Sequence, residues 1–232
     1  MDRIRAVVFD LDGTLVDSLA DIAAAVNTTL LAHGRDPHPL PSFRTMVGWG
    51  LRNLLETATT GRPFTTEEFE TVYAELLAGY RARPVTETRP YPGVEPLFSS
   101  LTGRVPLGVF SNKEDGMTKT IVAALFPGAP FQTVVGARPG RPHKPDPAVL
   151  LEILEEWGVE PGACAYLGDS AVDIETAQAA GAEACGAAWG FRDAAELKQA
   201  GAREVFADAA GFARWLEPRL SPTGQSLPAG GN

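Results

Sequence analysis

Polar side chains that could react together stand near the ends of several short apolar runs in this sequence. The candidates are Asp10, Asp12, Ser111, Lys144, Asp169 and Asp173. Carboxylates serve as nucleophiles, acids and bases, and a hydroxyl and a lysine hold anions. Hard carboxylate oxygens are also the ligands that Mg²⁺ prefers. The set therefore indicates nucleophilic, acid–base or metal-assisted chemistry, provided that the fold brings its members together.

The apolar runs predict the strands of a parallel sheet. They cover 4–9, 105–110, 131–135, 163–167, 182–187 and 204–206. Helical patterns alternate with the later runs, at 94–101, 114–125, 147–157, 171–180 and 194–199. This alternation is typical of the α/β class with a parallel, doubly wound sheet. Because such sheets bind ligands at the carboxyl ends of their strands, we expect the reactive side chains to converge on one edge.

The segment 16–85 differs because it carries only helical signals. Helices are predicted from Ser18 to about residue 33, and over 42–47, 51–58 and 65–80. The spacing of Ser18 and Asp21 also predicts a capping box at the start of the first helix. Since one strand precedes this segment and the others follow it, we interpret it as an inserted all-α cap.

The domain boundaries follow from this interpretation. The core is expected to comprise 1–15 and 86–217, and the chain crosses between core and cap at 16–18 and 86–91. The tail 218–232 is rich in Pro, Gly and Ser, a composition that is typical of disorder.

Composition and charge limit the classes of partner. The 232 residues are 44% hydrophobic and carry a formal net charge of −9, without the basic stripe that a nucleic-acid-binding protein shows. The first apolar run is too short for a signal peptide, and no stretch approaches a membrane span. We expect a soluble, cytoplasmic protein, either a monomer or a homodimer, that binds neither nucleic acid nor membrane. Cys164 and Cys185 lie in apolar segments and are interpreted as small buried side chains.

Four motifs occur in an order that resembles the haloacid dehalogenase (HAD) superfamily. They are DLDGT at 10–14, SNK at 111–113, KP at 144–145 and GDSAVD at 168–173. DLDGTLVDS, GDSAVD and the helical insert look like the phosphoglycolate phosphatase-like branch. The resemblance spans roughly 4–189 and implies a Rossmann-like core with a helical cap. It also implies a Mg²⁺-dependent phosphatase that acts on a small phosphorylated metabolite, with 2-phosphoglycolate as the leading candidate.

In that chemistry, Asp10 is the expected nucleophile and Asp12 the acid and base. Asp10, Asp169 and the backbone carbonyl of Asp12 are the expected ligands of Mg²⁺. Ser111 and Lys144 would hold and neutralise the phosphoryl group.

Further residues have supporting roles in this prediction. Thr14 and Asn112 are expected to bind substrate, and Asp173 to orient Lys144 or a metal-bound water. Each residue also has an ordinary interpretation. Asp10, Asp12, Ser111 and Asn112 could cap turns or helices, Lys144 could be a solvated surface lysine, and Asp173 could be a first-turn helix acid.

The cap is expected to contribute Gly48, Trp49 and Arg52 to substrate binding. The two glycines around Trp49 predict a turn, which places Arg52 in the first turn of a helix, where a cation opposes the helix dipole. That position suggests a role in binding a second anionic group of the substrate. Alternatively, Arg52 points to solvent or pairs with Glu56 one turn later.

Three other functions stay open on the sequence. A phosphomutase of the β-phosphoglucomutase type shares the core motifs, and a non-enzymatic binding protein could share the fold. A dehalogenase is disfavoured, since the dehalogenases of the superfamily lack an acid–base aspartate at the position of Asp12.

Overall fold

The computed structural model describes residues 3–220 and contains a six-stranded, wholly parallel sheet. In spatial order, the strands are β5 Phe131–Ala137, β4 Leu107–Glu114, β1 Ala6–Phe9, β6 Cys164–Gly168, β7 Glu183–Ala187 and β8 Glu204–Phe206. The predicted α/β class and parallel sheet are confirmed. Strand β4 extends further than the predicted run and includes Ser111, Asn112 and Lys113.

Side chains on the two faces of the sheet enter two separate cores. In β1, Val7 and Phe9 pack into one cluster, whereas Ala6 and Val8 pack into the other. The alternation follows from the two-residue period of a strand, and both faces are apolar because helices cover both. These helices are α5 Val94–Leu101, α6 Asp115–Leu125, α7 Ala148–Glu156, α8 Ala171–Ala180, α9 Ala194–Gln199 and α10 Ala209–Leu216.

The inserted segment is helical, as predicted. Its helices are α1 Leu19–Ala32, α2 Phe43–Met46, α3 Gly50–Ala58 and α4 Thr66–Ala82, with a 3₁₀ turn at Leu40–Ser42 before α2. Thr65 and Glu68 form a capping box that fixes the start of α4. The helices enclose a third apolar core, which also takes in Met117 and Phe191 from the sheet domain. The cap therefore packs directly on the domain that carries the reactive residues.

The two chain crossings form a small antiparallel pair, which the sequence did not predict. Strand β2, Val16–Asp17, pairs with β3, Arg89–Pro90. The predicted capping box at Ser18 and Asp21 is wrong, because both side chains bind elsewhere. The carboxylate of Asp21 accepts the backbone N–H groups of residues 86–88, and Ser18 lacks a side-chain capping hydrogen bond. Asp21 thus ties the first cap helix to the returning chain.

The end of the described chain is ordered, contrary to the expectation for 218–220. A 3₁₀ turn spans Glu217–Arg219, and Leu220 is buried and bridges to Ile4 beside the sheet. The remainder of the tail predicted to be disordered, 221–232, lies outside the described residues. None of the helices in the described part of the chain combines the length and the hydropathy that a membrane crossing requires.

Candidate active site

The predicted reactive side chains meet at the carboxyl edge of the sheet. Asp10 follows β1, which lies between β4, carrying Ser111, and β6, which precedes Asp169. Asp10, Ser111, Lys144 and Asp169 are all buried and line one cleft between the sheet domain and the cap. Adjacent parallel strands end side by side, so the sheet order brings Asp10, Ser111 and Asp169 together, and Lys144 joins them from the loop before α7.

Lys144 lies at the centre of a buried charge cluster. Its Nζ is 2.9 Å from Asp10 Oδ1 and 2.6 Å from Asp173 Oδ1. Burial acts to lower the pKa of Lys144, but the charges of Asp10 and Asp173 raise it well above its usual value. Lys144 is therefore a fixed cation beside the expected nucleophile and not a solvated surface lysine.

Asp10 and Asp169 are short of positive charge despite this lysine. Burial raises the pKa of Asp10 to about 7, helped by the charges of Asp173 and Asp12 and opposed by Lys144. Burial, and then Asp173 and Asp10, also raise the pKa of Asp169 well above its usual value. Lys144 pairs with Asp10 and Asp173, and the charge of Arg192 opposes the rise in the pKa of Asp169 without outweighing burial. A divalent cation would balance the remaining charge of the three buried carboxylates.

The geometry of the three carboxylates fits such a cation. Asp10, Asp169 and Asp173 each offer an oxygen, and these atoms all lie within 4.8 Å of one another. However, both oxygens of Asp173 are engaged, one by Lys144 and the other by the N–H and hydroxyl of Ser170. These bonds favour a positioning role for Asp173 and leave Asp10 and Asp169 as the better metal ligands.

Glycine allows the first loop to approach Asp169. Gly13 adopts a φ of 86°, and a Cβ on it would lie 2.1 Å from Asp169 Oδ2. A side chain at this position would clash with the carboxylate, which explains why the turn after Asp12 contains glycine.

Asp12 is held by two partners from different parts of the chain. Its Oδ2 lies 2.9 Å from Lys113 Nζ, and its Oδ1 accepts the hydroxyl of Ser18 at the start of the cap. Lys113 also donates to the hydroxyl of Tyr80, 2.9 Å away on α4. Lys113 and Tyr80 were missed as site residues. The SNK motif includes Lys113, but no role was predicted for it from the sequence. Tyr80 is distant from the motifs in the sequence.

Asn112 lines the cleft and also joins two loops. Its amide nitrogen donates to the carbonyls of Gly48 and Lys144, and its amide oxygen accepts the N–H of Lys144. These bonds use both amide hydrogens, so the side chain fixes the Lys144 loop against the cap. Ser111 lines the cleft as predicted, and its hydroxyl accepts the N–H of Lys113.

The predicted cap residues separate into two groups. Gly48 lines the cleft, whereas Trp49 is 50% exposed and does not. Arg52 is also outside the cleft, where it pairs with Glu70 through two 2.8 Å hydrogen bonds and stacks on Tyr73. The structure therefore does not bring Arg52 to the site, and its partner is Glu70 on α4 instead of Glu56. The reason is that α4 packs beside α3 and offers a closer acid.

Thr14 is also outside the cleft lining. Its side chain is completely buried, and its hydroxyl makes no hydrogen bond within residues 3–220. Its carbonyl accepts the indole N–H of Trp189.

The chain matches a known family over most of its length. The model of the haloacid dehalogenase-like hydrolases matches residues 7–187. The chain belongs to this family. The matched range includes the four motifs and the whole cap.

Relatives within the haloacid dehalogenase-like hydrolases are similar over nearly the full chain. A phosphoglycolate phosphatase from Rhodospirillum rubrum is 35% identical over 219 residues, which are 91% of this chain and 90% of the relative. A phosphoglycolate phosphatase from Aquifex aeolicus is 34% identical, over 81% of this chain and 86% of the relative. The crystal structure of a predicted phosphoglycolate phosphatase from Haemophilus somnus superposes with a TM-score of 0.85 at 25% identity, covering 94% of this chain and 100% of that one.

A segment after β7 is the other part of the site that the sequence did not predict. Phe191 donates its backbone N–H to Asp169 Oδ2 at 2.7 Å, while its ring packs into the cap core. The neighbouring Arg192 lines the cleft and donates to the cap carbonyls of Thr45 and Val47. The motifs that resemble the haloacid dehalogenase-like hydrolases end before this segment, and only its proximity to Asp169 in the fold reveals it.

Proposed function

We propose that the chain is a Mg²⁺-dependent phosphomonoester hydrolase that acts on a small phosphorylated metabolite through an aspartyl-phosphate. The observation that carries the proposal is the arrangement of Asp10 and Asp12. Asp10 lies in the charge cluster around Lys144. Asp12 follows two residues later and pairs with Lys113 instead. In the proposed chemistry, the carboxylate of Asp10 attacks phosphorus and that of Asp12 moves a proton.

In the first step, a carboxylate oxygen of Asp10 forms a bond to phosphorus as the ester P–O bond breaks. Asp12 gives a proton to the leaving oxygen, which departs as an alcohol. Lys144 and the hydroxyl of Ser111 hold the phosphoryl oxygens, and Lys144 offsets their charge. In the second step, Asp12 takes a proton from water as the water oxygen attacks phosphorus. The bond between phosphorus and the Asp10 oxygen breaks, so inorganic phosphate leaves and the Asp10 carboxylate is restored.

Asp10, Asp169 and the backbone carbonyl of Asp12 would hold Mg²⁺. The ion would supply the positive charge that the cluster lacks, keeping Asp10 ionised and offsetting the charge of the phosphate. The excess of buried carboxylates over lysine supports this assignment.

The leading substrate candidate is 2-phosphoglycolate or a similar phosphorylated acid. The curated relatives from Rhodospirillum rubrum and Aquifex aeolicus carry the name phosphoglycolate phosphatase, and each matches more than four fifths of this chain. Asp12 supports phosphate chemistry over dehalogenation, because a developing alkoxide needs an acid whereas a halide does not.

The test is release of inorganic phosphate from 2-phosphoglycolate and p-nitrophenyl phosphate, with Mg²⁺ and with chelator. We expect release only with the ion, and without a sugar bisphosphate activator. Full activity in protein that is shown to be free of metal would refute the metal assignment. Dependence on a sugar bisphosphate would instead indicate a phosphomutase.

A further inference from the structure

Three cations line the cleft among the described residues, and each of the two lysines has two partners in the reactive cluster. The cations are Lys113, Lys144 and Arg192. Lys113 is bound to Asp12 and Tyr80, and Lys144 to Asp10 and Asp173. Both lysines belong to the reactive cluster, and Lys144 is already assigned to the phosphoryl group, so Arg192 is the better candidate for a second anionic group of the substrate.

Arg192 differs because part of its guanidinium lacks a partner. Its side chain is 9% exposed, and its Nε lies 3.0 Å from Glu196 Oε1. Nη2 donates to the carbonyl of Val47 at 2.9 Å and to that of Thr45 at 3.3 Å. Nη1 is buried and makes no hydrogen bond within residues 3–220. A buried charged donor without a partner is costly, which indicates that a ligand completes it.

The cleft that Arg192 lines also has apolar lining residues, which solvate no charge. They are Ile22, Val47, Leu51, Leu54, Met117 and Phe191. A single guanidinium nitrogen with free N–H groups matches a carboxylate better than a second phosphate, which would bring two negative charges.

We infer that Arg192 binds the carboxylate of the substrate's leaving group and selects phosphorylated acids over neutral phosphate esters. This inference rests on the proposed phosphatase function and assigns the residue that sets its specificity. It places recognition on the sheet domain, next to Asp169, instead of at Arg52 on the cap. Arg192 binds two cap carbonyls through Nη2. The same contacts fix the position of Nη1, so one side chain both holds the cap loop and would bind the substrate.

The experiment compares kcat/KM for 2-phosphoglycolate and for 2-hydroxyethyl phosphate, which has a neutral hydroxymethyl group in place of the carboxylate. In Arg192→Met, we expect kcat/KM to fall about 10- to 100-fold more on the acid than on the neutral ester, the usual effect of losing a charged hydrogen bond. Inhibition by glycolate should weaken in the same variant.

The matched control is Arg44→Met. Arg44 also joins cap and core, through a 3.4 Å hydrogen bond to the carbonyl of Gly190, but it does not line the cleft. Its loss should affect both esters equally. If Arg192→Met does not fold, Arg192→Lys is measured in the same way, with a smaller selective loss expected because one ammonium cannot serve both the carbonyls and the carboxylate.

Equal losses on both esters, or no loss, would show that Arg192 only clamps the cap, and the inference would be wrong. It would also be wrong if the wild-type protein hydrolysed both esters with equal efficiency. A wild-type protein that hydrolyses neither these esters nor p-nitrophenyl phosphate would instead contradict the proposed function itself.

Discussion

Ion pairs at the carboxyl edge of the sheet and on the outer face of the cap differ in what surrounds them. The Lys144 side chain is 2% exposed and contacts two buried carboxylates. The Arg52 side chain is 46% exposed and contacts Glu70, which is more exposed still. Water screens the second pair but not the first. An unusual arginine in a cap helix is therefore weak evidence of function, whereas enclosed charge at strand ends is strong evidence.

The sharpest test of the sheet edge is Asp10→Asn. An amide is not a nucleophile at phosphorus, so turnover should fall by at least about 10⁴-fold, and mass spectrometry should detect no phosphorylated protein. The matched control is Asp36→Asn, because Asp36 is an exposed aspartate of the cap. A turnover rate near wild type in Asp10→Asn would remove this aspartate from the chemistry.

Asp12→Asn should have a smaller effect that depends on the leaving group. General acid–base catalysis contributes about 10²–10⁴-fold, and a poor leaving group needs it most. We expect the loss on 2-phosphoglycolate to exceed that on p-nitrophenyl phosphate, whose phenolate departs without a proton. Equal losses on the two esters, measured as kcat, would argue against Asp12 as the acid.

The charge excess at the sheet edge predicts a pH effect on the stability of metal-free protein. Burial, with Asp173 and Asp12, raises the pKa of Asp10 from 3.8 to about 7, against the effect of Lys144. Between these values the folded protein keeps a proton that the unfolded chain has released. The contribution of Asp10 to the free energy of unfolding therefore falls as pH rises through this range.

Melting temperatures with chelator, between about pH 4 and pH 7, can measure this contribution. As pH rises, the wild-type protein should lose stability relative to Asp10→Asn, and saturating Mg²⁺ should reduce the difference. If the melting temperatures of the two proteins changed with pH in the same way, the surroundings of Asp10 would not destabilise its ionised form.

Arg52→Ala should have the smallest effect. Since its pair with Glu70 is exposed and lies outside the cleft, kcat/KM should change by less than about two-fold on both 2-phosphoglycolate and 2-hydroxyethyl phosphate. If kcat/KM fell selectively on 2-phosphoglycolate, Arg52 would belong to the substrate site. An exposed ion pair of the cap would then contribute to function as the buried cluster at the sheet edge does.

The sheet edge could be predicted because its geometry depends on the strand order and on local motifs. Asp10, Ser111, Lys144 and Asp169 each stand next to a strand or helix start that apolar periodicity marks. Once the strands are parallel and adjacent, Asp10, Ser111 and Asp169 meet at one edge, and Asn112 holds the Lys144 loop beside them.

The remaining partners depend on tertiary packing that periodicity does not encode. Tyr80 reaches Lys113 only because α4 packs over the sheet edge, and Asp21 binds the backbone of residues 86–88 only because the two crossings are adjacent. The choice of Glu70 over Glu56 for Arg52 likewise follows from how α3 and α4 pack together. Arg192 lies beyond the last motif. That its Nη1 has no partner among residues 3–220, while Nη2 binds a cap carbonyl, follows only from the tertiary packing.

The pairing of β2 with β3 brings together the two ends of the cap insert. Val16 lies opposite Pro90 and Asp17 opposite Arg89, so the two points where the insert begins and ends are neighbours in space. A short turn could join them and leave the six-stranded sheet uninterrupted. Such a shortened chain would expose Met117 and Phe191, the two apolar side chains that the sheet domain contributes to the cap core. The insert could therefore be exchanged between relatives as a unit, provided that its replacement offers an apolar face to these two residues.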